Sequence, residues 1–435
     1  MSETSTASRG SGYAWVIVIS AMFWSGIIFG LFGNTVGLFY VPVATNPGQE
    51  GVEWTQTEVS LFMSIFPIVA GVLSPIIGKV YQSVKKTQYL LAGTALAYAL
   101  TYLWSATFTE LWQWNLYGVI TGIYGGMLMY IPIPMLINNW FTKQKGIALG
   151  LAASFVNFMP AIFSPVITAQ IAASDWRTVR IWMAIIIGVI VTPLTLIMVR
   201  KTPEDKGTEP WGGLATPEAK EFKSGVSNRT ALKSVAFWLA IIMVACIVST
   251  ATMYQRMAAM ATAAGFEGAM IGFAPTALML GAVFGKYLLG FIRDITKSAV
   301  ITGVVCACLG LLACVLFLAF GTSSIPMFYT SVVIYGLGFA GLTVVPPIVV
   351  ENAFGGKSFA QIFANVSVCT CVASSGASLV YAQIIDQTGG YEGCFYFAIA
   401  LYAIFLVCVP LIIKLGQALP REAADEPADP EPASI

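Results

Sequence analysis

"GAVFGKYLLGFIRD", Gly281 to Asp294, sets one lysine, Lys286, inside a run that otherwise has the make-up of a membrane-spanning helix. Eight residues at 1.5 Å each place Lys286 about 12 Å from Asp294, near the middle of a hydrocarbon core roughly 30 Å thick. A charge at that depth costs about 2.5 to 3.5 kcal/mol on insertion scales. With a reach of about 6 Å, the side chain falls short of the polar edge. Something at mid-depth has to offset the charge.

The surrounding chain fits this reading. Of its 435 residues 57% are hydrophobic and 10% charged, and the mean hydropathy is +0.80. Soluble domains average about 45 to 50% apolar, so this composition points to a membrane protein and away from nucleic acid as a partner. Apolar runs long enough to cross a bilayer recur at 14–41, 57–81, 88–108, 112–137, 146–172, 179–199, 234–263, 269–292, 298–320, 326–349, 359–385 and 391–414. The expected fold is therefore an all-α membrane protein of twelve transmembrane helices. Eight cysteines show no C-x-x-C spacing and histidine is absent, so they read as packing residues and no metal site or cofactor is expected.

Charge placement gives the orientation. Nearly all Lys and Arg fall at span ends that share one side: Arg9, Lys79, Lys85, Lys86, Lys143, Lys145, the group from Arg200 to Lys233, Arg293, Lys297, Lys357, Lys414 and Arg421. By the positive-inside rule that side is cytoplasmic, as are both termini. The opposite loops carry Arg177 and Arg180 beside acids such as Glu50, Glu53, Glu110, Glu267 and Glu392. Arg256 and Lys286 are left inside the membrane.

A polar linker rich in proline and glycine, "VRKTPEDKGTEPWGGLATPEAKEFKSGVSNRT", splits the chain. The expected organisation is a cytoplasmic N-terminal tail (1–12), a six-helix bundle (13–199), the linker (200–232), a second six-helix bundle (233–415) and a disordered acidic cytoplasmic tail (416–435). The bundles read as repeats. Gly78 and Gly290 stand 212 residues apart, Phe141 and Phe354 213, and the pairs Phe23-Trp24 and Phe237-Trp238 214. Two parallel six-helix repeats with a site between them near the midplane form the architecture of a rocking transporter.

Every acidic residue can be placed in a loop, a tail or a span end, the deepest being Glu58, Asp294, Glu351 and Asp386. A cation without a protein counter-ion must lose its proton, use backbone carbonyls or hold a bound anion. An anionic substrate is the simplest of these. Arg256, in "TATMYQRMAAMATAAG", brings a fork suited to a carboxylate. Asn34, Tyr130, Asn157 and Asn365 are further polar groups within spans, each able to donate to a carboxylate or to a neighbouring helix.

The repeats resemble the major facilitator superfamily over nearly the whole chain. That family marks the loops after its second and eighth spans with a glycine, an aspartate four residues on and basic residues. "GFIRD" keeps Gly290, Arg293 and Asp294; "GKVYQ" keeps Gly78 but has Gln82 for the aspartate. "NNWFTKQKGIALG" (Asn138 to Gly150), "SDWRTVRIW" (Ser174 to Trp182) and "RKTPEDKG" (Arg200 to Gly207) resemble the oxalate/formate antiporter and monocarboxylate porter branch. This resemblance implies a carboxylate-binding role for the cation of the eighth span, here Lys286, and a tyrosine in the fourth, here Tyr130. The oxalate exchangers carry a second cation in the eleventh span, where this chain has Ser367, a departure that counts against oxalate itself.

The function expected is secondary transport of small organic anions, mono- or dicarboxylates, by a monomer in the inner (plasma) membrane, with no nucleotide and no catalysis. Exchange is favoured, because proton symport generally uses an intramembrane acid or histidine. Proton-coupled monocarboxylate symport, with Lys286 itself taking up the proton, is the alternative. A sensor that binds an anion without moving it is a third reading. Drug efflux would call for an acid in the cavity, and an enzyme for a nucleophile-and-base set or a metal cluster.

Overall fold

A computed structural model describes residues 7–48, 52–130, 132–142, 144–212, 225–321 and 324–422, and these are helical with a few isolated β-bridges. We number the long helical segments α1 (Gly12–Thr45), α2 (Gln56–Ser83), α3 (Thr87–Trp104), α4 (Leu111–Trp140), α5 (Lys145–Ala173) and α6 (Trp176–Met198). The second set is α7 (Val235–Ala263), α8 (Ala269–Thr296), α9 (Ala299–Phe320), α10 (Ile325–Phe354), α11 (Gln361–Thr388) and α12 (Glu392–Gln417). In lipid a helix satisfies its own backbone, which is why such apolar runs fold this way. Their ends are set by polar caps: Thr55 with Glu58 on α2, Ser234 on α7 and Ser298 on α9.

Among the described residues eleven helices are long and apolar enough to cross a membrane, one fewer than expected. The exception is α3, only 18 residues long and diluted by Thr87, Gln88, Tyr89, Thr94, Tyr98, Thr101 and Tyr102. It packs within the first bundle, burying Leu91, Ala95, Tyr98 and Tyr102.

The buried apolar residues form two cores, one drawn from Ala14 to Val199 and one from Val226 to Ile413. Each borrows one alanine across the boundary, Ala258 for the first and Ala161 for the second. The repeat is visible in the packing. Gly122 of α4 lies against Phe66 and Val69 of α2, and Gly336 of α10 against Leu278 and Gly281 of α8. Those two glycines stand 214 residues apart, the spacing of the Phe-Trp pairs. The opening helices of both halves also break alike, α1 into a 3-10 turn at Val36–Phe39 and α7 at Met253–Arg256.

One end of the bundle carries Lys79, Lys85, Arg200, Arg293 and Lys297, and the other Glu58, Glu110, Asp175, Glu267 and Glu392; we call them the basic and acidic ends. Side-chain hydrogen bonds between the two halves cluster toward the acidic end. Tyr40 pairs with Gln255, Gln56 with Tyr391, Tyr254 with Gly33, Arg256 with Ser60 and Thr276 with Ala161.

At the basic end the linker clasps the first half. Lys201 Nζ donates to the carbonyls of Tyr81 and Val84, each at 2.8 Å, where α2 runs out. Asn139 Nδ2 donates to the Lys201 carbonyl and Trp140 Nε1 to that of Arg200.

Three expectations are corrected here. α2 and α8 run on to Ser83 and Thr296, so Arg293 and Asp294, like Gly78 and Gly290 within the expected spans, belong to helix ends rather than to a loop. α12 extends to Gln417, and Glu422 pairs with the backbone of Gly225 and with Lys357 at 3.1 Å, so the expected tail from 416 begins as ordered chain; residues 423–435 lie outside those described. Arg180 is not in a loop. It sits 1% exposed inside the first half, its Nη1 on Ser105 Oγ and its guanidinium among the rings of Phe39, Tyr102, Trp114 and Tyr117.

Candidate functional site

Lys286 stands on the inward side of α8. Gly281 and Gly285, a turn apart, face α10 through Val333 and Leu337, while Gly272 and Thr276 face α5 through Ser164 and Ala161. At about 100° per residue, Lys286 points between these two contact faces, away from the lipid side marked by Phe284, Tyr287 and Phe291. The residue is half-buried, and its ammonium has no hydrogen-bond or ion-pair partner among the described residues.

Among the described residues no acid is at hand to supply one. Glu58 lies in the first turn of α2, Asp294 and Asp386 in the last turns of α8 and α11, Glu351 in the last turn of α10 and Glu392 at the start of α12. Within the described helices, carboxylates are thus confined to the polar margins, where they cost little.

The amides sit at different levels. α5 and α8 run antiparallel, and the register set by Gly272 on Ser164 and Pro165 and by Thr276 on Ala161 continues to place Asn157 level with Leu280. That is six residues, roughly 9 Å, from Lys286 toward the acidic end. Asn157 is 4% exposed and its Nδ2 is unpaired. Asn34 occupies the break in α1 and donates from Nδ2 to the carbonyl of Val156 at 3.1 Å, next to Asn157. Asn365 is near the basic end of α11 and donates to Asn228 Oδ1 at 3.1 Å. The hydroxyl of Ser367 is taken by the Phe363 carbonyl of its own helix. The side chain of Tyr130 lies outside the described residues.

Arg256 lies in the seam between the halves, where α7 breaks. It is 1% exposed, and its Nη2 donates to Ser60 Oγ of α2 at 3.0 Å and to the Ser378 carbonyl of α11 at 3.3 Å. The guanidinium covers the Tyr40 ring at 4.8 Å, and Tyr40 donates its hydroxyl proton to Gln255 Oε1. Such stacking is worth about 2 kcal/mol when desolvated. Among the described residues Nη1 has no partner, nor does the hydroxyl of Ser378. Tyr391, just before α12, accepts from Gln56 Nε2 at 3.2 Å; burial pushes its phenol up, while Gln56 and Arg256 pull it down.

Sequence reasoning found Lys286 and Arg256 from their depth. It missed Arg180, whose signal was only the three-residue step from Arg177 at a helix start, and it missed Ser60, Ser378, Tyr40 and Gln56, which have no motif. The structure brings Asn34 and Asn157 together on adjoining helices, and sets Asn365 and Arg256 toward opposite ends of the bundle.

The family profile described as Major Facilitator Superfamily matches residues 14–259 and 257–435. Monocarboxylate transporter 13 of Rattus norvegicus is 25% identical over 198 residues, 44% of this chain and 44% of that one. The MFS-type transporter pynF of Aspergillus niger is 28% identical over 155 residues, 34% of this chain and 33% of that one. These matches span less than half the length of either curated relative. Among solved structures, a bacterial homologue of the human lysosomal transporter Spinster, inward-facing and occupied, gives a TM-score of 0.62 at 13% identity, covering 93% of this chain and 96% of that one. The likeness is one of fold.

Proposed function

Because the chain belongs to the major facilitator superfamily and is thus a multi-pass membrane transporter, we propose that it moves small organic anions, mono- or dicarboxylates, by alternating access. Lys286 is the principal ligand in this reading. The observation that carries it is an inward-facing ammonium with no partner among the described residues, on a helix whose carboxylates stop at the margins. A bound carboxylate offsets the cost of holding that charge away from water. The resemblance to proteins called monocarboxylate transporters supports the same class.

Asn34, Tyr130, Asn157 and Asn365 complete the proposed lining. Asn157 has an unspent donor, whereas Asn34 and Asn365 would first have to release Val156 and Asn228. With the basic end taken as cytoplasmic in an inner (plasma) membrane, the halves meet on the outer side and the arrangement is inward-facing. We propose a monomer working as an exchanger. An empty cavity would have to cross the membrane with Lys286 uncompensated, and a carboxylate bound in each direction removes that cost.

Thermal stabilisation of the purified protein tests the ligand class. Formate, acetate, lactate, pyruvate, oxalate, malonate and succinate are compared on wild type and Lys286→Ala, since a ligand that prefers the folded state raises its stability. At least one carboxylate should raise the melting temperature of wild type and not of the variant. Equal responses in both would remove Lys286 from the site.

A further inference from the structure

We propose that Arg256 forms a second anion site, separate from Lys286, at which a small singly charged anion holds the acidic ends of the two halves together. Arg256 is buried and permanently charged, and no carboxylate pairs with it among the described residues. The acids beside its surroundings, Glu58 two residues before Ser60 and Glu392 next to Tyr391, are otherwise placed: Glu58 caps Thr55 at 2.8 and 3.0 Å and Glu392 is exposed. A buried cation with an unmet N–H carries a desolvation cost that an anion relieves.

The atoms around it favour a negative guest. Nη1 of Arg256 and the hydroxyl of Ser378 are buried donors without acceptors among the described residues. Tyr391 accepts from Gln56, which leaves its own proton to give, and Ser60 Oγ accepts from Arg256 while holding only a long 3.3 Å bond to Thr57. The unpaired acceptors in the group are Gln56 Oε1 and the Ser378 hydroxyl oxygen, against the two N–H of Arg256 Nη1 and the hydroxyl protons of Ser378 and Tyr391. Donors outnumber acceptors, and one of them is a cation.

Position gives this site its consequence. Gln56 and Ser60 belong to α2 of the first half, while Arg256, Ser378 and Tyr391 belong to the second. Parting the halves at the acidic end scatters the donors. An anion that binds only the assembled set therefore shifts the population toward the closed seam, in proportion to its preference for that state. This goes beyond the carboxylate site, since it needs neither Lys286 nor a substrate. The anion is either an inorganic ion from the medium or a carboxylate of the transported class, and the two are separable.

The test is the melting temperature of the purified full-length protein in gluconate at fixed ionic strength, titrated with chloride or, separately, with formate. Chloride should raise it by several degrees in wild type and in Lys286→Ala, and have no effect on Arg256→Gln. Formate acting in the same pattern in place of chloride would also support the site and identify a carboxylate as its occupant. Formate is read in the Lys286→Ala background, where the carboxylate site is gone, and four results would overturn the proposal: no response to either ion in that background, a chloride response of wild type abolished by Lys286→Ala, a chloride response retained by Arg256→Gln, or a formate response retained when Arg256→Gln is added to Lys286→Ala. Should Arg256→Gln fail to fold, Ser378→Ala and Tyr391→Phe take its place, with the half-saturating concentration of the active ion expected to rise severalfold. An unchanged value in both would overturn the site. Loss of carboxylate binding at Lys286 leaves the chloride arm readable, so the two readings fail separately.

Discussion

Gly37 of α1 lies so close to the backbone of Gln255 of α7 that a Cβ at position 37 would stand 2.8 Å from the Gln255 carbonyl carbon, and nearer still to its oxygen. Both residues sit where their helices break, so the two breaks are packed on each other and any added carbon must push the halves apart. Overpacking of this kind costs about 1 to 3 kcal/mol. Gly37→Val is expected to lower the melting temperature by several degrees and to slow transport. Gly93→Ala, in open space on α3, should leave both unchanged.

Arg180 should be irreplaceable by lysine. Its flat guanidinium meets Tyr102 at 4.6 Å and Trp114 at 4.7 Å while bonding Ser105, a geometry that an ammonium does not reproduce. Breaking a buried charged contact costs about 3 to 5 kcal/mol. Arg180→Lys and Arg180→Ala are both expected to unfold at markedly lower temperature than wild type. A lysine variant as stable as wild type would show that the rings merely fill space.

Lys201 closes the basic end of α2. Charged hydrogen bonds contribute about 1.5 to 3 kcal/mol, and Lys201 makes two to the last carbonyls of that helix. Lys201→Met should lower thermal stability by at least the worth of one such bond. Because the clasp is distant from Lys286, carboxylate affinity per folded molecule should hold constant.

These cases show what the sequence displays and what it hides. Repeat spacing was legible because insertions between the halves are few, and the Gly122 and Gly336 contacts obey it. Depth was legible for Lys286 and Arg256, since helical rise is constant. Partners were not: the Ser60 hydroxyl meets Arg256 because α2 packs across the seam, and Ser378 meets it through a backbone carbonyl, and neither contact leaves a pattern in the sequence. The motifs "NNWF" and "RKTPEDKG" were read as a family mark, and their physical content, mutual hydrogen bonding of Asn139 and Trp140 with Arg200 and Lys201, emerged only in three dimensions. α3 was expected to be an apolar span like its neighbours, and Thr94, Tyr98, Thr101 and Tyr102, turned into the bundle, make it less apolar.

The described helices carry no acid away from their ends, so liposomes loaded with carboxylate should take up labelled carboxylate, and empty ones should not. Strong uptake into empty liposomes under an imposed pH gradient would favour proton symport through Lys286 and end the exchange reading.

The most direct test of the central claim is counterflow of the stabilising carboxylate in liposomes containing wild type, Lys286→Arg or Lys286→Ala. The account predicts transient accumulation by wild type, reduced accumulation by the arginine variant, and a loss of at least tenfold for alanine, about 1.4 kcal/mol or more in transition-state binding. Counterflow by Lys286→Ala at the wild-type rate, in protein shown to be folded, would contradict it.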